Sequence, residues 1–305
     1  MKKSNSLFLT FKVIAVGLVT VIVVGLLLYI FNPIIKERFL TESNIKKKYA
    51  DNVCLLSHDF AYAVHFPAED GSINTIYLVK SENNEFDIWE ADSIVNTANR
   101  VYATAFIIDS IGHCITSKYA TMPWQNERDQ NALKELFSKE LNILPNDITV
   151  DGLSIRMAIQ HVMQMNGIKT PEIICMPVKW TYDEYTETRF IIPRESNGSF
   201  PFRKLDLGET YLNNLEKGKP LYMLRFSKKD FSLGYPLDVS VKKLKLDHYE
   251  DYKTTFSEVN EWLPEGAPIF DLDQNLVGVY TRVNKQNSLY YVSSYLRSGS
   301  NDFQK

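Results

Sequence analysis

The chain has no surplus of basic residues: 34 Lys and Arg stand against 37 Asp and Glu, for a formal net charge of −3. A nucleic-acid footprint ordinarily shows as a basic excess, so the composition speaks against that class of partner. Cysteine is scarce. The three present, Cys54, Cys114 and Cys175, form no CxxC pair and no Cys/His cluster, so the sequence offers no metal site. Each is flanked by apolar residues, the setting of a small buried hydrophobe, with one disulfide left open if the domain lies outside the cytoplasm. Internal repeats, low-complexity tracts, phosphate-cradling glycine loops and nucleotide fingerprints are missing too, so no cofactor is expected.

One stretch lacks charge altogether. Residues 13–31, VIAVGLVTVIVVGLLLYIF, carry no Asp, Glu, Lys or Arg. At about 1.5 Å rise per residue, such a helix nearly spans a hydrocarbon core of about 30 Å. It has no polar stripe, as a buried core helix would, and YIFNPIIKERF offers no small-x-small cleavage site. The pattern therefore predicts an uncleaved transmembrane anchor over 13–31, after a tail at 1–12 and before a basic stalk at 32–50. Lys2, Lys3 and Lys12 precede the span, while Lys36, Arg38 and Lys46 to Lys48 follow it. Counting these slightly favours a cytoplasmic C-terminal side and leaves topology open.

What is plentiful is apolar and aromatic material, 45% and 12% of residues. From about residue 51 it falls into short β-like runs rich in branched and aromatic side chains: NVCLLSHDFAYAVHF (52–66), INTIYLV (73–79), RVYATAFIID (100–109) and HCITSKY (113–119). A second group includes EIICMPVKW, RFIIP, PLYMLRF, LDVSVKKLKLD, YKTTFS, APIFD, NLVGVYTRV and SLYYVSS. Many short strands with frequent turns predict a β-barrel or sandwich. DSIGH (109–113) reads as one hairpin turn and DLDQN (271–275) as another, its acids solvated turn residues. Two stretches break the rhythm. NERDQNALKELFSKELNIL (126–144) sets Leu133, Leu136, Phe137 and Leu141 at helical spacing, and DGLSIRMAIQHVMQMNG (151–167) reads as a second helix with Asp151 as N-cap and Gly167 as stop. Together they predict a helical hairpin inserted at about 124–168, with His161 a packed or surface histidine.

Taken in order, the β segments resemble a known family. ATAFIIDSIGHCITSKYA (103–120) is similar to the strand-turn-strand that leads to the catalytic histidine of trypsin-like serine proteases, especially the bacterial HtrA/Deg type. YDEYTETRFIIP (182–193) resembles the strand bearing the aspartate. FRKLDLGETYLNNLEKGKPLYMLRF (202–226) and LGYPLDVSV (233–241) follow in family order. YKTTFSEVNEWLPEGAPIFDLDQNLVGVYT (252–281) resembles the run into G-N-S-G-G-P, and SLYYVSSYLR (288–297) the closing strand. The resemblance covers most of 52–297. It implies a mainly β fold of two six-stranded barrels for residues 51–298, with a short tail at 299–305 and no PDZ module behind it.

The family's chemistry needs a serine nucleophile, a histidine base and an aspartate that orients the imidazole. By the resemblance these positions fall on Glu265, Tyr119 and Thr188 (or its neighbour Arg189). Tyrosine, with a reference pKa of about 10, is a poor base at neutral pH, and glutamate has no hydroxyl nucleophile. The loop that would hold the oxyanion reads Leu263-Pro264-Glu265-Gly266, with leucine where the family keeps glycine and a carboxylate beside the site. His113, Ser117 and Ser257 offer no nucleophile–base spacing, and Glu265 with Asp271 or Asp273 is a weak carboxylate pair. The expectation is a membrane-anchored pseudoprotease that binds a protein or an extended peptide without cleaving it. An active hydrolase with rearranged residues and an inert structural subunit of a bacterial envelope complex stand as alternatives. The resemblance implies a bacterial inner membrane with the soluble domain on the periplasmic side.

Overall fold

The computed structural model describes residues 19–28, 41–90, 98–108, 113–161, 172–179, 187–191, 218–226, 238–250, 253–256, 263–284 and 289–294. The chain divides into two compact units, residues 1–44 and 45–305. In the first unit residues 19–28 are helical, with exposed apolar side chains such as Val21 and Leu28. The rest of 13–31 lies outside the described residues, and none of the described helices is long and apolar enough to cross a membrane.

The second unit is mainly antiparallel β. Its first half holds β1 (Val53–Pro67), β2 (Ile73–Lys80), β3 (Phe86–Ile88), β4 (Asn99–Ile107), β5 (His113–Ser117), β6 (Thr149–His161), β7 (Glu172–Ile174), β8 (Met176–Lys179) and β9 (Glu187–Ile191). These nine form one sheet, organised around the long and almost wholly buried β1. Along one edge of β1, β4 pairs with Val53–Phe60 and β2 with Tyr62–Pro67, while β6 runs along the other from Cys54 to His65. The second half holds β10 (Pro220–Phe226), β11 (Val239–Glu250), β12 (Lys253–Phe256), β13 (Pro268–Phe270), β14 (Leu276–Asn284) and β15 (Leu289–Ser294). Its six strands close into a barrel in the order β10-β11-β12-β15-β14-β13.

Of the two barrels expected from the sequence, one ring is thus closed. The first half is instead a nine-stranded sheet whose pairings do not return on themselves among the described residues.

The inserted helical hairpin also needs correction. Helix α1 spans Thr41–Tyr49, α2 spans Lys118–Thr121 and α3 spans Glu127–Leu141. The expected second helix from residue 151 is strand β6. Its Met, Ala and Gln content suits a helix, but β1 is buried on both faces, and its inner edge would leave a row of backbone N–H and C=O groups without partners. Pairing with β6 satisfies them over twelve register positions, and this tertiary demand overrides local preference. Asp151 caps no helix; its carboxylate instead accepts from the N–H of Gly152 at 2.8 Å.

The apolar face of α3 is narrower than its sequence suggests. Leu133 is fully buried and Phe137 packs beside the same cluster, whereas Leu136 and Leu141 are more than 40% exposed. Asp129, one turn before Leu133, takes the Tyr62 hydroxyl at 2.8 Å and the Lys80 ammonium at 2.6 Å, which pins the helix to β1 and β2.

Part of the segment 32–50, expected as a basic stalk, is helix α1, and two of its residues are core. Ile45 and Tyr49 are buried in a core cluster with Phe106 and Ile115 from the sheet and Tyr222, Phe226 and Phe270 from the barrel. Tyr49 stacks on Phe270 with ring centroids 4.6 Å apart, and its hydroxyl donates to the Gln274 carbonyl at 2.9 Å. The turn expected at 271–275 is present, with Asp273 exposed as expected but Asp271 half-buried instead of solvated. Asp271 accepts from Asn275 N at 2.8 Å, and Gln274 takes the left-handed backbone at φ 69°. Burial raises the Asp271 carboxyl above its ordinary value. Turn 109–112 and the segment around Ser257 lie outside the described residues.

Candidate functional site

The segment 263–267 sits where the sheet and the barrel meet. Leu263 is buried among Leu221, Met223, Leu244, Ala267, Ile269, Val277 and Tyr280, and its side chain works as a core anchor. Pro264 is buried and Glu265 half-buried, with one carboxylate oxygen, Oε2, sealed from solvent. The backbone is tied to both halves. Thr104 N of β4 donates to the Glu265 carbonyl at 2.7 Å, and Gly266 N donates to the Tyr280 carbonyl of β14 at 2.8 Å. Gly266 is required here twice over. Its φ is +76°, and a Cβ would lie 2.2 Å from both Thr104 O and Thr116 Oγ1 and 3.1 Å from Ser117 N.

Those contacts lead to the other two positions. Thr116 and Ser117 end β5, and the Ser117 hydroxyl caps α2 by accepting from Ala120 N at 3.2 Å. Tyr119, half-buried, is the second residue of that one-turn helix. On the far edge of β5, Thr116 lies opposite Thr188 of β9 and Ile115 opposite Arg189. Segment 263–267 therefore meets the end of β5 at Gly266, Tyr119 follows two residues after Ser117, and Thr188 lies on the strand paired with β5.

Two hydroxyls at this contact are engaged in local hydrogen bonds. The hydroxyl of Ser117 is buried and engaged as a helix cap. The hydroxyl of Thr116 donates to Thr104 O at 2.7 Å. No cluster of three or more His, Cys, Asp and Glu that could hold a metal ion occurs among the described residues. All three cysteines are free and buried, in one core cluster with Leu56, Phe106's neighbour Ile107 and Met157. Burial raises the Cys54 thiol far above its usual value and pushes Cys175 up to about 12, so neither is a thiolate at neutral pH.

Comparison with solved structures adds a likeness of fold. No protein-family model and no curated protein matches the chain. A solved structure, the crystal structure of Deg5, is similar over 82% of this chain and 87% of that one. It is 13% identical, with a TM-score of 0.42.

The expected positions omit one close pair. His58, in the middle of β1 and fully buried, places Nδ1 3.1 Å from the Ala120 carbonyl and Nε2 2.9 Å from the Ser154 hydroxyl of β6. The two residues are 96 positions apart, and neither LLSHDF nor DGLSIR marks the pairing locally. The only usable signal would have been the alignment of β6 on β1, which the helical reading of 151–167 hides.

Proposed function

We propose that this chain is a trypsin-like module that has kept the frame and lost the serine-protease reaction, and that it works by binding a protein or an extended peptide. The observation that supports this is the contact of segment 263–267 with the end of β5 at Gly266, two residues from Tyr119 and one strand from Thr188, at the junction of two antiparallel β halves. A family site would stand at such a junction, and the expected positions carry Tyr119, Thr188 and Glu265 in place of a base, an orienting carboxylate and a nucleophile. Folds persist after their chemistry is gone, so the frame argues for architecture and the residues argue against proteolysis. An extended peptide adding to an exposed strand edge is the binding mode this architecture suits. Residues 13–31 would tether the module to a membrane, with the domain on the outer side of a bacterial inner membrane.

The test uses the full chain in detergent. Unfolded protein and a peptide library are expected to remain intact on prolonged incubation, while a subset of peptides is retained on the immobilised protein. Cleavage that disappears in Glu265→Ala or Tyr119→Phe would overturn the reading. A phosphatase fused after residue 305 should be active if the domain lies outside the cytoplasm and silent if it lies within.

A further inference from the structure

His58 and Ser154, on the paired strands β1 and β6, have the arrangement of a base and a nucleophile. The carbonyl of Ala120 can only accept, so the imidazole proton sits on Nδ1. Nε2 is then an acceptor, and the Ser154 hydroxyl 2.9 Å away donates to it. The ring is also held by its neighbours. Trp124 meets it edge-on at 5.9 Å between centroids, Phe60 is tilted against it at 6.0 Å, and Trp124 in turn covers Gly152, where a Cβ would lie 1.9 Å from the indole. A fixed tautomer, a fixed ring and a hydroxyl donating to the free nitrogen are the three elements of an activated serine, with a backbone carbonyl as the orienting group.

Access separates this pair from an ordinary buried histidine. His58 is fully enclosed, but Ser154 is an exposed residue. It stands beside a β-bulge, where the register on β1 steps from Asp59 opposite Arg156 to Phe60 opposite Ser154 and leaves Ile155 without an opposite residue. Bulges recur next to active sites because they re-aim a side chain out of the ladder. The neighbouring carboxylate, Asp59, is committed elsewhere: Arg100 Nε and Nη2 bind its two oxygens at 2.5 and 2.8 Å.

We propose that Ser154 is an acyl-accepting nucleophile with His58 as its base, acting on activated acyl groups such as thioesters or aryl esters. In the step, a bond forms between Ser154 Oγ and the acyl carbon while the bond to the leaving oxygen or sulfur breaks. The hydroxyl proton passes to His58 Nε2 and from there to the leaving group. Water then attacks the acyl-serine, giving its proton to Nε2, and Oγ recovers it as the acid departs. Burial lowers the imidazole from 6.5 to about 4, so it is neutral and able to accept at pH 7, but it is a weaker base than one tuned to that pH. That limits the pair to acyl carbons with good leaving groups and leaves peptide amides out of reach.

The test is reaction of the full chain with a fluorophosphonate at pH 7.5, with the adduct mapped by mass spectrometry. Here Oγ bonds to phosphorus and fluoride leaves. Modification should fall on Ser154, vanish in Ser154→Ala, and slow by ten-fold or more in His58→Gln. If His58→Gln does not fold, the thiol introduced by Ser154→Cys reports instead: it should alkylate with iodoacetamide at least ten-fold faster than one introduced by Leu153→Cys. Equal rates in that pair, or a folded protein that takes no label at Ser154, would overturn the proposal. Labelling at Ser154 without peptide cleavage supports it and leaves the non-proteolytic reading in place. Labelling accompanied by peptide cleavage that Ser154→Ala abolishes supports it and removes that reading.

Discussion

At the scale of single residues, Gly266 and His58 make the clearest demands. Replacing Gly266 with alanine combines a left-handed backbone with a Cβ 2.2 Å from two oxygens, one of them main-chain. Each effect alone costs roughly 1–3 kcal/mol, so Gly266→Ala should lose about 3 kcal/mol or more in urea unfolding. Asparagine tolerates the left-handed region, so rescue by Gly266→Asn would point to φ alone; the contact with Thr104 and Thr116 predicts no rescue. His58 sets a pH dependence. Its folded pKa of about 4 lies below the ordinary 6.5, so the unfolded chain binds the proton more readily. Its contribution is fully present above about pH 6.5 and is lost as pH falls toward 4, by about 3 kcal/mol in all. Urea midpoints measured from pH 7.5 to 4.5 should decline in the native protein and flatten in His58→Gln. An unchanged slope in that variant would place the titration elsewhere.

At the scale of elements, the sequence was most legible where a local pattern and the tertiary environment agree. Turn 271–275 is such a case, since Asp, Asn and a left-handed Gln satisfy their own backbone without outside help. Helix α3 is another, with Asn126 as its cap and Leu133 and Phe137 one turn apart on the buried side. Strand β6 is the opposite case, because its identity is decided by the edge of β1 and not by its own residues. The His58–Ser154 pair was hidden for the same reason, being a property of register. The narrow face of α3 gives a direct check. Leu133→Ala removes a fully buried side chain and should cost about 2–5 kcal/mol, whereas Leu136→Ala, at 41% exposure, should cost less than about 1 kcal/mol. Equal losses would mean that the helix is rotated on the sheet.

At the scale of the whole molecule, the sheet and the barrel share a core. Val53, Leu55, Phe106 and Ile115 from the sheet lie in one buried cluster with Tyr222, Leu224, Phe226, Phe270 and Val279 from the barrel, and Tyr49 joins them by its ring contacts to Phe106 and Phe270. Main-chain bonds cross the same boundary, from Thr104 N to Glu265 O. Two halves that bury each other's apolar surface cannot open separately without exposing it, so residues 45–305 should unfold in one cooperative step. Hydrogen exchange followed by mass spectrometry provides the measurement. Peptides from β1 and from β14 should lose protection together as urea rises, and Phe106→Ala, on β4 and packed against Phe270 of the barrel, should shift both by the same amount. Loss of β14 protection at lower urea than β1 would show two independent domains, and the junction around Gly266 would then be a contact between domains and no longer the interior of one.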